Sequence, residues 1–221
     1  TTALLETMLT LDLCPARMDI GRLASEWVES CGQPGSEKAF LEKQLAGFIG
    51  PENYTATTPK DVVLYGFGRI GRLLARELIM QEGRGEQLRL RAIVTRDKGT
   101  GMAEKRASLL RQDSVHGAFP GTVEADEENN ALIIDGHMVH LITAQQPEDI
   151  DYTKFGINNA LVIDNTGAFR DKEALGRHLK SKGASKVLLT APGKGVPNIV
   201  HGVNQTMFNP AEADIFSAAS C

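Results

Sequence analysis

Residues 61–80 read DVVLYGFGRIGRLLARELIM, and this stretch constrains the fold more than any other. Val62, Val63 and Leu64 form a short apolar block of the kind a strand covered on both faces requires. Gly66, Gly68 and Gly71 follow at G-x-G-x-x-G spacing. From Ile70 onward, Leu73, Leu74, Glu77 and Leu78 keep the three-and-four spacing of a helix with one apolar face. The order is strand, turn, helix.

Three glycines in a turn mean little without such flanks, and here the flanks supply a chemical reason for them. A dinucleotide's pyrophosphate needs backbone N–H donors at close range and the favourable dipole of a helix start. Gly66 permits the tight turn, Gly68 lets the backbone approach phosphate, and Gly71 lets the new helix pack against the strand. A second apolar strand is expected over residues 88–94, so strand, helix and strand fall within about thirty-five residues, which predicts a right-handed parallel crossover.

The rest of the chain extends that pattern. Residues 102–112 read as a helix, and residues 122–125, 131–135 and 138–143 alternate as short strands with a turn at Gly136. Residues 160–164 form another apolar run, followed by a loop at 165–169, a helix over 172–182 and a strand over 186–190. Residues 199–203 and 214–217 supply two more strands. The architecture expected for residues 60–221 is therefore α/β, a Rossmann-type, doubly wound and mainly parallel sheet. Ahead of it, Leu23, Trp27, Phe40, Leu41, Leu45 and Phe48 recur at helical spacing, broken by residues 32–35. Residues 1–59 thus read as an appended helical arm, helix, turn, helix, ending in a polar linker over 53–59. Residues 82–86 read as a turn.

Composition excludes several classes of function. A net charge of −4 with no basic block argues against nucleic acid or an anionic membrane as the main partner. No run of eighteen apolar residues and no leading basic-then-apolar segment is present, so a soluble protein with the cytoplasm as its default location is expected. Cys14, Cys31 and Cys221 lie far apart without C-x-x-C spacing, which predicts neither a disulfide framework nor a metal site. Cys14 and Cys31 read as small apolar fillers in helical segments.

Several separated stretches resemble the glyceraldehyde-3-phosphate dehydrogenase family. GFGRIGR at 66–72 is similar to its cofactor turn, DSVHGAFPGTV at 113–123 to its D-S-x-H-G-x-F-x-G segment, and NTGAF at 165–169 to its S-T-G-x-F loop. TAP at 190–192 is similar to its S-A-P, GVN at 202–204 matches directly, and SAASC at 217–221 resembles the start of S-x-A-S-C-T-T-N. The resemblance covers residues 61–221; residues 1–59 have no counterpart in the ordinary family member.

That resemblance implies a role for Cys221 as the nucleophile, at a helix start whose dipole favours the thiolate. The family mechanism forms a thiohemiacetal on sulfur, passes hydride to nicotinamide, and lets inorganic phosphate release an acyl phosphate. Ser220 is implied beside the substrate phosphate, glyceraldehyde 3-phosphate is the implied substrate with erythrose 4-phosphate open, and a homotetramer is implied. The family's proton-accepting histidine and later phosphate-holding residues fall beyond Cys221, so the expectation is a chain that binds dinucleotide without turning over substrate. His116 reads as packing under the cofactor domain, His137 and His140 as part of a strand pair, His178 as helical and His201 as part of a strand; none replaces that base.

For the cofactor, the resemblance implies backbone donors from Arg69 and Ile70 to the pyrophosphate, with Asn165 and Thr166 in the S-T-G loop. The informative departure ends the second strand. The family typically reads A-I-N-D there, whereas this chain reads Ala92, Ile93, Val94, Thr95, Arg96. An Asp at that point receives the ribose hydroxyls and repels a 2′-phosphate by about 4 kcal/mol at ~4 Å and an effective dielectric near 20. Thr95 and Arg96 can instead hold a phosphate, so either NAD or NADP is expected, with NADP slightly favoured; the competing reading has Asp97 take the ribose and keep NAD. A non-catalytic NAD(P)-binding regulatory protein is the other class left open, and A-S-C at 219–221 favours the enzyme.

Overall fold

The computed structural model describes residues 2–14, 18–30, 36–50, 59–81, 88–97, 99 and 101–218. The chain forms two compact units, Thr1–Thr58 with Gln81–Gln87, and Pro59–Met80 with Leu88–Cys221.

In the first unit, helices α1 (Thr2–Met8), α2 (Ile20–Glu29) and α3 (Glu37–Gln44) are followed by a single 3-10 turn, Ala46–Phe48. The expected pair of helices is joined by a third, because α1 places Leu4 and Met8 four residues apart on one buried face, too short a pattern to read in advance. Leu4, Met8, Leu23, Leu41 and Leu45 form its core, with Trp27 set edge-on to Phe40 at 5.1 Å. Asp19 caps α2 by accepting from the Arg22 N–H at 2.9 Å. Cys14 is not in a helix; its N–H donates to Phe48 C=O at 2.8 Å beside the bridge between Leu13 and Ile49. Cys31, the expected turn at 82–86 and most of the expected linker fall outside the described residues.

The second unit runs β1 (Lys60–Tyr65), α4 (Arg69–Gln81), β2 (Leu88–Thr95), α5 (Met102–Arg111), a small hairpin of β3 (Gln112–Asp113) and β4 (Gly117–Ala118), then β5 (Val123–Asp126), β6 (Ala131–Ile134), β7 (His137–Thr143), β8 (Ala160–Asp164), α6 (Lys172–Gly176), β9 (Ala184–Leu189), β10 (Asn198–Ile199) and β11 (Ile215–Ala218). Nine strands form one sheet in the order β10-β11-β9-β8-β1-β2-β7-β6-β5. All neighbours pair in parallel except β5 with β6 and β6 with β7. The sheet is thus doubly wound and mainly parallel, as the sequence predicts.

Both faces are covered, which explains the continuous burial along β1. Val62 and Leu64 face a core with Ala75, Leu78 and Ile79 of α4, while Val63 and Tyr65 face a second core with Phe169, Leu175 and Val187. A bulge against β1 leaves Arg91 unpaired, so Leu90 and Ala92 enter opposite cores although they are two apart.

Two expected elements are shorter than their patterns. The helix expected over 172–182 is α6 followed by a 3-10 segment, Arg177–Lys180, and the change comes at Gly176, where the helix tightens. Of the strand expected at 199–203, only Ile199 pairs, as the end of β10. Asn204 Oδ1 accepts from Val200 N–H at 2.7 Å and Gly202 adopts φ +85°, so the chain turns and His201 sits in that turn.

Candidate functional site

Strand order places the site. The chain leaves β1 toward β2 and β7 on one side and returns to β8 and β9 on the other, and between such halves the carboxyl ends of the strands open a crevice. A cleft of about 210 Å³ lies there, lined by Tyr65 and Gly66 after β1, Val94, Thr95 and Arg96 at β2, Ala144 after β7, and Thr166 and Ala168 after β8.

The three glycines of the turn differ in what surrounds them. Gly66 has φ +103°, and a Cβ there would lie 2.9 Å from Asn165 Oδ1 and from Thr166 Cγ2. A Cβ on Gly71 would lie 2.5 Å from Gly66 C=O and 2.7 Å from Asn165 Oδ1. At Gly68 nothing lies within 4 Å of the Cβ position. Two glycines are therefore required by close packing of the protein on itself, and the third keeps an open approach to the main chain. Phe67, buried in the first core, anchors the turn between them.

Helix α4 then begins with no acid in its first turn. Its first backbone bond runs from Arg72 N–H to Gly68 C=O at 3.0 Å, so the amides of Arg69, Ile70 and Gly71 precede the ladder and sit at the positive end of the helix. Ile70 is half exposed there.

The loop 113–117 is tied to this turn. Buried Asp113 accepts from the N–H groups of Val115 and His116 at 3.0 Å each, from His116 Nδ1 at 3.0 Å and from Arg72 Nη2 at 3.3 Å, while Arg72 Nη1 donates to Phe67 C=O at 3.5 Å. His116 does not pack under the domain; its ring is half exposed and braces Asp113. The His116 and Val115 amides, then the His116 ring, hold the Asp113 carboxyl well below the usual carboxylate range. A folded-state value below the unfolded one stabilises the fold above the ordinary range near pH ~4, and that contribution is lost as pH falls below it. Thermal unfolding from pH 7 to 2 should therefore show Asp113→Asn less stable than the parent at neutral pH, with the gap closing through the acidic range. A gap that stays constant with pH would disprove this account.

On the other wall, Thr166 and Ala168 belong to the loop that follows β8. Asn165 does not line the cleft; its amide packs behind the turn against Gly66 and Gly71, and its N–H donates to Tyr65 C=O at 3.1 Å. At β2, Arg96 is exposed and Thr95 partly so, while Asp97 is ion-paired with Arg106 of α5, whose side chain is largely buried. The structure thus brings Gly66, Thr95, Arg96 and Thr166 to one cleft, with Gly68, Arg69, Ile70 and Gly71 on the adjoining turn. Ser220 and Cys221 lie outside the described residues. Tyr65 and Ala144 also line the cleft and carry no sequence signal beyond their places at strand ends, and Ala168 lines it from within the 165–169 loop. Among the described residues no cluster of His, Cys, Asp and Glu could hold a metal, and no helix is long and apolar enough to cross a membrane.

A crevice at the switch point of a doubly wound sheet, with a glycine turn opening onto a helix start, defines a nucleotide-binding α/β domain. Residues 60–172 match the family model described as "Glyceraldehyde 3-phosphate dehydrogenase, NAD binding domain". A glyceraldehyde-3-phosphate dehydrogenase-like protein of Pseudomonas aeruginosa is 50% identical over 222 residues, spanning 100% of this chain and 48% of the relative. Glyceraldehyde-3-phosphate dehydrogenase A, chloroplastic, of Zea mays is 39% identical over 78% of this chain and 40% of its own length. Glyceraldehyde-3-phosphate dehydrogenase 1 of Agaricus bisporus is 37% identical over 73% and 44%. The chain belongs to the glyceraldehyde-3-phosphate dehydrogenase family, and it spans less than half the length of these relatives.

Proposed function

We propose that the cleft binds a nicotinamide dinucleotide, and that the chain carries the cofactor half of a phosphorylating aldehyde dehydrogenase acting on glyceraldehyde 3-phosphate. The observation that carries the reading is the open space at Gly68 between two glycines that packing requires. A pyrophosphate fits that space, since it meets main-chain amides of residues 68–71, the helix dipole and no acid in the first turn. Bound NAD or NADP would supply the hydride acceptor. The chain's own residues do the holding: Arg69 and Ile70 through their amides, Thr95 and Arg96 at the ribose end, and Thr166 on the opposite wall. In the same reading Cys221 is the nucleophile, Ser220 faces the substrate phosphate, inorganic phosphate is the second substrate, and the whole protein works as a cytoplasmic homotetramer.

The pairing of Asp97 with Arg106 supports NADP, because it neutralises the acid that could otherwise receive the ribose hydroxyls and repel a 2′-phosphate. Competitive titration of the 221-residue chain with both dinucleotides tests this. NADP should bind at least as tightly as NAD, and Arg96→Ala should weaken NADP about tenfold while NAD changes less than about twofold. NADP binding tenfold weaker than NAD would defeat the preference, and failure to bind either would defeat the function.

A further inference from the structure

Beneath the wall that carries Thr166 lies a buried histidine which the proposed chemistry does not use. His178, on the 3-10 segment after α6, has no solvent exposure, and its Nε2 meets Asp164 Oδ2 at 2.9 Å. Asp164, also without exposure, closes β8. Its other oxygen, Oδ1, accepts from Thr166 N–H at 2.9 Å and Thr166 Oγ1 at 2.8 Å. Thr166 Oγ1 accepts in turn from Ala168 N–H at 3.1 Å. One carboxylate thus spends one oxygen on the histidine and the other on the turn whose Thr166 and Ala168 line the cleft.

The histidine is fixed from several sides. Its ring stands edge-on to Tyr65 at 4.6 Å and to Phe169 at 5.2 Å, and Tyr65 itself lines the cleft. Since a carboxylate can only accept, Nε2 carries the hydrogen; Nδ1 is buried with no partner among the described residues. Packing alone gives no reason for this arrangement. A buried polar pair is often replaced by apolar side chains of similar volume at little cost, and the rings beside this histidine are those of Tyr65 and Phe169. What an apolar side chain would not do is hold the Asp164 carboxylate in the orientation that the Thr166 turn requires.

We propose that His178 is a positioning residue for the nucleotide cleft, acting through Asp164 on the turn that carries Thr166 and Ala168. Without the Nε2–H donor, Oδ2 is left unsatisfied, the carboxylate rotates toward another donor, and Oδ1 releases the Thr166 N–H and hydroxyl. The wall then loses its fixed shape while the strand beneath keeps its ladder to β1 and β9. The inference rests on the reading that the cleft takes a dinucleotide, so its test has one arm that needs no nucleotide.

The variants are His178→Phe, which keeps an aromatic ring, His178→Gln, which can restore the donor, and Thr166→Val, which removes the hydroxyl on the surface and spares the core. In the first arm, amide hydrogen exchange of the full chain without nucleotide should speed up at least about tenfold at Thr166 and Ala168 in His178→Phe, with Val162 and Ile163 unchanged. In the second, the NADP dissociation constant, measured well below the unfolding midpoint, should rise about fivefold to tenfold in His178→Phe and stay within about twofold in His178→Gln. Thr166→Val should weaken binding similarly, and His178→Phe combined with Thr166→Val should weaken it no further, because both changes break one path. A histidine that only stabilised the core would lower the midpoint, loosen β8 along with the turn and leave the dissociation constant unchanged, which would overturn the proposal. Additive losses in the double variant would overturn it too. Should His178→Phe not fold, unchanged Ala168 exchange and unchanged binding in Thr166→Val would be decisive against it. A parent chain that binds neither dinucleotide counts against the function, while the exchange arm still decides whether His178 holds the turn.

Discussion

Gly68→Ala should cost the protein about a hundredfold in dinucleotide affinity while leaving thermal unfolding unchanged or slightly higher. The two effects separate because they act on different states. In the free protein a Cβ at position 68 meets nothing within 4 Å, and the position is not one of those with positive φ, so the methyl group enters without strain. Replacing glycine under those conditions removes freedom from the unfolded chain and stabilises by roughly 0.4–1 kcal/mol. In the complex the same methyl group occupies the approach to the main chain. A pyrophosphate pushed back by a carbon atom loses the short contacts with the amides at the start of α4. Hydrogen bonds to a charged partner contribute about 1.5–3 kcal/mol each, so losing one to two of them gives roughly 2.7 kcal/mol, the stated hundredfold. Differential scanning calorimetry paired with fluorescence titration of NADP and NAD checks both halves. Binding reduced less than about threefold would mean that the ligand does not approach the chain at this turn.

The sequence disclosed this turn because its signal is local: three glycines, an apolar strand before them and a periodic helix after them. The parallel strands were equally legible, since β1 and β8 show short apolar runs that two covered faces demand. Residues 199–203 misled for the same reason. Ile199, Val200 and Val203 resemble a strand, yet the outcome is decided by Asn204, whose side chain accepts from Val200 N–H at 2.7 Å and donates to Asn198 C=O at 3.0 Å. The second wall of the cleft was legible only in part. Thr166 is implied by the resemblance, but the carboxylate that fixes it closes an apolar run and reads there as the last residue of a strand. Its partner His178 lies 14 residues on, in a segment that reads as ordinary helix. A pairing between two element types across a loop leaves no period in the sequence. The same holds for Asp97 and Arg106, paired between the residues just after β2 and α5.

Gly71→Ala should act in the opposite sense to the change at Gly68, destabilising the second unit by about 3 kcal/mol, a value typical of overpacking against atoms that cannot yield. The added Cβ would sit 2.5 Å from Gly66 C=O and 2.7 Å from Asn165 Oδ1. The side-chain oxygen of Asn165 could swing aside, but the Gly66 carbonyl could not. The Tyr65–Gly66 peptide just before it is held on both sides, since Gly66 N–H donates to Val94 C=O at 2.9 Å and Asn165 N–H donates to Tyr65 C=O at 3.1 Å, and Phe67 just after it is buried in the first core. The only relief is for α4 to lift from β1, and α4 is held there by Ala75, Leu78 and Ile79 in the first core. For a unit of this size, about 3 kcal/mol lowers the unfolding midpoint by roughly 6–12 °C. Nucleotide affinity should fall as well, because lifting the helix start moves its free amides off the cleft. Comparing Gly71→Ala with Gly68→Ala by calorimetry and titration separates the two roles of glycine in one turn. A Gly71→Ala protein that unfolds within about 2 °C of the parent would show that the helix start is not packed on the turn as described.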